Sequence, residues 1–250
     1  MKRLNKDKLP RHIAVIMDGN GRWAKKRKLR RISGHKKGLE VVKEAVKTCR
    51  ELGIEFLTLY AFSVENWNRP KSEVNALMGL LKSYLLSELD EMLENDIRLN
   101  AIGDLEDLPK SVGKILTDTI ERTKTCKGMV LNLALSYGGR NDIIHAVSKI
   151  ISDCEANKIK SENVTEELFP NYLFTAGIPD PDLLIRTSGE YRISNFMLWQ
   201  IAYTEIYITD TLWPDFKKED LIEALLDFQS RERRFGLTSG QIKGGKKKGV

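Results

Sequence analysis

Four short apolar runs, each ending abruptly in a polar loop, constrain this 250-residue chain more than any other feature. Residues 12–17 read HIAVIM and stop at Asp18-Gly19-Asn20-Gly21, and residues 56–62 read FLTLYAF and lead into Ser63-Val64-Glu65-Asn66. Residues 129–135 end at Ser136-Tyr137-Gly138-Gly139, and residues 183–185 end at Arg186-Thr187-Ser188-Gly189. Runs this short, apolar at consecutive positions and rich in β-branched residues, predict strands covered on both faces. Residues 97–102 and 206–208 are two further strand candidates. Between these runs the spacing turns helical. Leu39, Val42, Ala45, Val46 and Cys49 share a face ahead of a stop at Gly53, and Ser72 predicts the N-cap of a helix reaching Asn95. Pro109 opens another helix, and residues 142–154 and 218–231 complete the set. Strand and helix alternate, which predicts an α/β single domain: a mostly parallel central sheet flanked by helices, with ligands at the strands' carboxyl ends.

The helix over residues 74–93 carries Leu77, Met78, Leu80, Leu81, Tyr84, Leu85, Leu86, Leu89, Met92 and Leu93. At about 100° per residue they cover an arc of roughly 240°, where a surface helix needs a stripe of about 100°. Such a helix buries more than one side, against a subunit interface or along the wall of an apolar cavity. No uncharged apolar run reaches membrane-spanning length and no secretory signal precedes residue 12, so neither a span nor an export signal is expected. Three cysteines, Cys49, Cys126 and Cys154, form no CxxC pair, which argues against a disulfide scaffold or zinc ribbon.

Positive charge is local. Arg22, Lys25, Lys26, Arg27, Lys28, Arg30, Arg31, Lys36 and Lys37 lie between Asp18 and Glu40 with no acid among them, and without these nine the net charge of +6 becomes −3. Residues 241–250 are a second basic cluster among glycines, read as a disordered tail behind a domain at 1–240. A basic stretch commonly makes a solvated face. It also suits nucleic acid, an anionic membrane or a phosphorylated small molecule, and no nucleic-acid-binding motif accompanies it here. Gly19, Gly21 and Ala24 nominally fit a dinucleotide fingerprint, but the acid expected at the end of the next strand is missing. Gly19 and Gly21 allow close backbone approach to phosphate oxygens and Arg22 offers a planar fork. A carboxylate at Asp18 beside such an anion calls for a divalent cation between them, typically Mg²⁺; the alternative is a turn-forming helix cap.

Met17-Asp18-Gly19-Asn20-Gly21-Arg22-Trp23-Ala24 after a strand resembles the signature of the cis-prenyltransferases, and further motifs follow in order along nearly the whole chain. They are Gly34-His35, then Tyr60 to Ser63 with Glu65-Asn66-Trp67 and Arg69-Pro70, then Ser136 to Arg140. Pro181 to Glu190, Arg192-Ile193-Ser194-Asn195-Phe196, Trp199-Gln200 with Glu205, Leu212 to Phe216 and Arg231 to Gly236 complete them.

The resemblance implies a homodimer that elongates an allylic pyrophosphate, typically farnesyl pyrophosphate, with isopentenyl pyrophosphate units. Each addition makes a cis double bond and expels pyrophosphate. By resemblance the product is long-chain, of the undecaprenyl pyrophosphate kind used as a cell-wall carrier lipid. It would be made in the cytoplasm and passed to the membrane through at most a peripheral contact. Asp18 and Asn66 are the catalytic candidates, with Asp18 and Glu205 as Mg²⁺ ligands. Gly19, Asn20, Gly21, Arg22, Trp23, Arg31, His35 and Arg69 are expected around the allylic pyrophosphate, and Ser63, Val64, Glu65 and Trp67 around the reacting end. Arg186, Arg192, Ile193 and Ser194 are expected to hold the isopentenyl pyrophosphate, although Arg192 could instead pair with nearby Glu190. An apolar tunnel between sheet and helices would take the hydrocarbon, with Phe62, Trp67 and Trp23 at its mouth and Leu81, Leu85 and Met129 as candidates for lining or closing it. A trans-type prenyl synthase would need aspartate-rich helices, and a nucleotide-dependent enzyme a P-loop; neither occurs. A non-catalytic partner subunit would have lost Asp18, which is retained together with Asn66 and Glu205.

Overall fold

The computed structural model describes residues 4–232. Its centre is a six-stranded, wholly parallel sheet of β1 (His12–Ile16), β2 (Phe56–Ser63), β3 (Ile97–Ile102), β4 (Met129–Tyr137), β5 (Leu183–Arg186) and β6 (Glu205–Ile208), in the order β3-β4-β2-β1-β5-β6. The strand and helix alternation read from the sequence is therefore the fold.

Every residue of β1 is buried, and alternate side chains enter different cores. Ile13 and Val15 join the large cluster beneath α2 (Arg31–Leu52), α3 (Lys71–Glu94), α4 (Lys110–Thr123) and α6 (Lys218–Ser230). Ala14 and Ile16 join a smaller one with Tyr137, Leu184, Phe196 and Met197 on the other face. Two buried faces are what a continuous apolar strand requires. The remaining helices are α1 (Asn20–Lys26) and α5 (Gly139–Glu155).

From β1 the chain moves one way, to β2, while β5 and β6 extend the sheet the other way. The carboxyl ends of β1 and β5 thus flank the point where the strand order reverses, the crevice in which open α/β sheets take ligands.

Several boundaries differ from the sequence reading. Helix α2 starts at Arg31, eight residues before its apolar repeat becomes visible, because residues 31–38 pack through Gly34 and Gly38. A Cβ on Gly34 would collide with the Asn20 carbonyl, and one on Gly38 with the Asn20 side chain and the Trp213 ring. Helix α3 begins at Lys71 behind Pro70, so Ser72 lies inside its first turn rather than capping it. Helix α5 begins at Gly139, three residues earlier than expected. The apolar arc of α3 also divides. Val74, Met78, Leu85, Leu89 and Met92 are buried, Leu77, Leu80, Leu81 and Tyr84 line a cavity, and Leu86 and Leu93 face solvent. The basic tail at 241–250, and with it the domain boundary at 240, lies outside the described residues.

Candidate active site at the strand ends

Asp18 leaves β1 at the reversal point. Its backbone N–H donates to Thr187 Oγ1 at 2.9 Å, which ties the β1 loop to the β5 loop. Gly19 follows at φ +106° with Leu212 packed close behind it, a position a side chain would strain and crowd. The turn folds the Gly19 amide back onto Asp18 Oδ1 (2.6 Å), while Oδ2 accepts from Arg186 Nη2 (2.8 Å) and Arg22 Nη2 (3.2 Å). Burial alone would push the Asp18 carboxyl pKa up. The Arg186 hydrogen bond and the charges of Arg22 and Arg186 outweigh it, so the pKa lies below the usual value and Asp18 is ionised at neutral pH.

Arg186, at the end of β5, is 4% exposed. It also donates to Ser194 Oγ (2.8 Å) and to the Arg192 carbonyl, and its Nε is buried without a partner among the described residues. Arg22 donates to the Ser188 carbonyl (3.1 Å) and hydroxyl (2.5 Å) and to Glu190 (2.9 Å). Glu190 holds Arg192 as well, at 2.5 Å, so the pairing considered for Arg192 is formed.

A second basic group lies on the α2–α3 side. Arg31 and Arg69 both reach Glu73 Oε1 at 3.1 Å. His35, one turn along α2 from Arg31, has its Nε2 buried without a partner among the described residues. Burial, then the neighbouring charges of Arg69 and Arg31, bring the His35 pKa down to about 4, so the ring is neutral at pH 7. Gly21 lets the Arg31 guanidinium approach the loop, 3.1 Å from where a Cβ would stand.

The segment after β2, Val64–Asn68, is a short 3-10 turn, opened by Ser63, whose N–H donates to Asn66 Oδ1 at 3.3 Å. Glu65 accepts from Asn195 at 2.8 Å. Burial raises its pKa, but that bond and the local donors bring it below normal. Val64 packs against Gly138. Trp67 donates to Ser136 Oγ (2.9 Å) and stands edge-on behind Phe62 at 4.8 Å between ring centres.

These groups border two connected spaces. A polar groove of about 490 Å³ runs past Asp18, Ser63, Glu65, Arg186 and Ser194. An apolar cavity of about 170 Å³ lies beneath it, walled by α2, α3 and the ends of β2 and β4. Asn66, Arg69, Tyr60 and Met17 line both, so the polar and apolar chambers meet at Asn66 and Arg69. A cavity of roughly 150 Å³ accommodates benzene. The space therefore holds about an isoprene unit or two as it stands, and it is a cavity rather than the long tunnel expected.

Most of the expected residues converge here, with exceptions. Trp23 donates to Asp215 (2.7 Å) with Arg27 stacked on it, so it is turned away from the cavity mouth. Ile193 packs on the smaller core. Leu81 lines the cavity, whereas Leu85 and Met129 are fixed in the solid core. Glu205 pairs with Arg231 at 2.8 Å and lies level with Leu183, itself level with Ile13. That places it about five residues, roughly 16 Å, back along the sheet from Asp18, so one chain does not bring the two carboxylates together. Among the described residues no group of three or more potential metal ligands forms. Glu73 was not anticipated, though its i+4 spacing from Arg69 was available as a signal.

Known proteins share this sequence and fold. Residues 16–236 match the model of the prenyltransferase family described as undecaprenyl diphosphate synthase. An isoprenyl transferase of Geobacter sulfurreducens is 56% identical over 242 residues, covering 97% of this chain and 98% of the relative. One from Chlorobaculum tepidum is 56% identical over 94% of this chain and 89% of its own length. Among solved structures, lavandulyl diphosphate synthase from Lavandula x intermedia, in complex with dimethylallyl diphosphate, superposes with a TM-score of 0.90 at 39% identity, over 92% of this chain and 99% of that one. A probable undecaprenyl diphosphate synthase from Campylobacter jejuni gives 0.76 at 36% identity, over 94% and 100%. With its six parallel strands and its strand-end arginines, this chain belongs to the undecaprenyl diphosphate synthase family of prenyltransferases and is a transferase.

Proposed function

We propose that the chain condenses isopentenyl pyrophosphate onto an allylic pyrophosphate, farnesyl pyrophosphate as primer, to build a long cis-polyprenyl pyrophosphate of the undecaprenyl kind. The observation that carries this is the junction at Asn66 and Arg69, where an anion-binding groove meets an apolar cavity. The allylic C1–O bond breaks with its electron pair leaving on pyrophosphate, the isopentenyl double bond attacks C1, and a proton is lost from isopentenyl C2. Both charged ends need cations and the allylic cation needs shielding from water. Arg22, Arg31 and Arg69, with His35 Nε2 as a neutral polar partner, take the allylic pyrophosphate against the Gly19–Arg22 turn. Arg186 and Ser194, which line the groove, take the isopentenyl pyrophosphate together with Arg192, whose carbonyl Arg186 holds. Asn66 lies where the isopentenyl proton departs, with Ser63 and Glu65 ordering that end. Phe62, backed by Trp67, shields the cation.

The residues fit Mg²⁺ delivered with pyrophosphate better than a resident ion. Asp18 is a single ionised carboxylate facing an arginine-lined anion groove, and Mg²⁺ commonly binds through one carboxylate plus substrate phosphates and water. When bound, the ion would neutralise part of the leaving group's charge. Within one chain Glu205 pairs with Arg231 and stands back along the sheet from Asp18, so Asp18 alone is assigned to the ion here.

A homodimer is part of the proposal. Ile144, Val147 and Ile151 form an exposed apolar stripe along α5, which a second copy would cover. No helix among the described residues is long and apolar enough to cross a membrane, and delivery of the product to a bilayer remains part of the proposed role.

The test is incubation of purified chain with farnesyl pyrophosphate and labelled isopentenyl pyrophosphate, with and without Mg²⁺, followed by sizing of the products. Multiple additions that depend on Mg²⁺ are expected. A product that stops after one addition would refute the long-chain reading, and no incorporation would refute the activity.

A further inference from the structure

Each arginine assigned above to a pyrophosphate is already held by a carboxylate of the protein itself. Asp18 holds Arg22 and Arg186, and Glu73 holds Arg31 and Arg69. Glu190 differs from both. Its two oxygens engage different arginines, Oε1 with Arg22 at 2.9 Å and Oε2 with Arg192 at 2.5 Å, and these two belong to the two different pyrophosphate positions proposed above.

The backbone is built to put it there. Ser188 and Gly189 are successive left-handed residues, at φ +79° and +69°. Their N–H groups donate to Thr211 (2.8 Å) and Thr209 (2.9 Å), so the loop is pinned to the segment after β6. A side chain on Gly189 would fall 2.5 Å from Asp210 Oδ1. Stability does not account for the pairing, since the Arg192 side chain is 61% exposed and ion pairs that accessible contribute little to folding.

We propose that Glu190 is a displaceable counter-anion that competes with pyrophosphate for Arg22 and Arg192. Resting on the proposed pyrophosphate sites, it reclaims both arginines between additions. It thereby weakens their grip on the pyrophosphate just released and on the chain terminus that must shift from the Arg192 side to the Arg22 side before the next addition. Glu190 touches no reacting atom; it acts through the two arginines and is a positioning residue. A multi-step enzyme needs such a device, because arginines that bind pyrophosphate tightly also release it slowly.

The experiment is calorimetric titration of the full chain with inorganic pyrophosphate, without metal, comparing wild type, E190Q and E190D, with thermal melting as a check on folding. E190Q is expected to bind pyrophosphate about tenfold more tightly, as removal of one charge-assisted competitor on two arginines should give. E190D, whose carboxylate is one methylene too short to reach both partners, is expected to fall between, about two- to threefold tighter. In turnover, E190Q should lose rate in successive additions relative to its own first condensation. Unchanged or weaker pyrophosphate binding in E190Q, or in E190D should E190Q fail to fold, overturns the proposal and leaves Glu190 a brace. A wild-type chain that binds no pyrophosphate removes the site reading itself and the inference with it.

Discussion

Replacing Asp18 by Asn keeps the side chain's shape and the acceptor for the Gly19 amide but removes the charge that Arg22 and Arg186 share. Three consequences differ in sign. First, Arg186, 4% exposed, loses its carboxylate. Breaking a buried ion pair costs about 3–5 kcal/mol, but the Asp18 side chain is 30% exposed to a wet groove, so a loss of about 1–2 kcal/mol is expected. Second, without metal the variant should bind inorganic pyrophosphate more tightly. One unit of phosphate charge at roughly 5 Å from a carboxylate is repelled by about 1–3 kcal/mol for effective dielectric constants between those of water and a protein surface, so at least about fivefold is expected. Third, with Mg²⁺ present, turnover should fall about a thousandfold, the loss of about 4 kcal/mol of transition-state stabilisation. Calorimetry in chelator and single-turnover incorporation of isopentenyl pyrophosphate read the last two separately. Weaker metal-free pyrophosphate binding in D18N would show that Asp18 is not set against the anion. Turnover within tenfold of wild type would remove its proposed role. E190Q shares the gain in pyrophosphate affinity but not the collapse of the first condensation, which distinguishes the two carboxylates.

Tyr84, 5% exposed, separates the apolar cavity from a small pocket lined by Lys43 and Glu88, so Tyr84→Ala should join them and lengthen the product by an isoprene unit or two, each worth about 4 kcal/mol of burial; chromatographic sizing with Leu85→Ala as a control should show a shift in the first variant only. Gly34→Ala should cut activity at least tenfold at unchanged pyrophosphate charge balance, because the new methyl group displaces the Asn20 carbonyl and with it the Asp18 loop; wild-type turnover would contradict the close packing of α2 on that loop. His12 is fully buried between the Pro179 carbonyl (2.6 Å) and Thr58 (2.7 Å), and burial lowers its pKa to about 4 despite those partners. The unfolded chain therefore binds the extra proton first: stability is flat above about pH 7.5 and falls by about 2 kcal/mol between pH 7.5 and 5, a slope that denaturant titration should find reduced in His12→Gln.

What the sequence disclosed follows from where apolar pattern coincides with burial. β1, β2, β4 and β5 are legible because both faces are covered, leaving runs of consecutive apolar residues that stop where the polar loop begins. The first two turns of α2 are not, because residues 31–38 turn Arg31 and His35 toward the site and pack through glycine, so no apolar repeat marks them. Function erases the periodicity that would announce the helix. The arc of α3 was visible, but only coordinates separate Leu81 in the cavity wall from Leu85 in the core and from Leu86 in solvent. Glu73 escapes a residue-by-residue reading because a carboxylate in an anion site looks out of place until the arginines it holds are seen, and for Glu190 the pairing with Arg192 is legible two residues away but the one with Arg22, 168 residues away, is not. Glu205 was separated from Asp18 by register, which no motif spacing encodes.

The junction of polar groove and apolar cavity also has a backbone cause. The β2–β4 ladder is regular from Phe56 to Tyr60 and then slips twice, so that Phe62 pairs with Leu135 and Ser63 with Tyr137. Ala61 and Ser136 are the residues left over, and Ser136 takes φ +45°. An unpaired residue in a strand bends it and re-aims its neighbours. Without the slips, strict alternation would put Tyr60 and Phe62 on one face. With them, Tyr60 stacks on Phe196 in the smaller core at 4.3 Å, while Phe62 joins the large core and lines the cavity. The leftover Ser136 is used as well: it accepts from Trp67 Nε1 and donates to Asp107, which holds Trp67 edge-on behind Phe62. Two extra residues in adjacent strands thus let one strand end border a polar groove and an apolar cavity at once, an arrangement that a regular sheet edge with a single alternation would not provide.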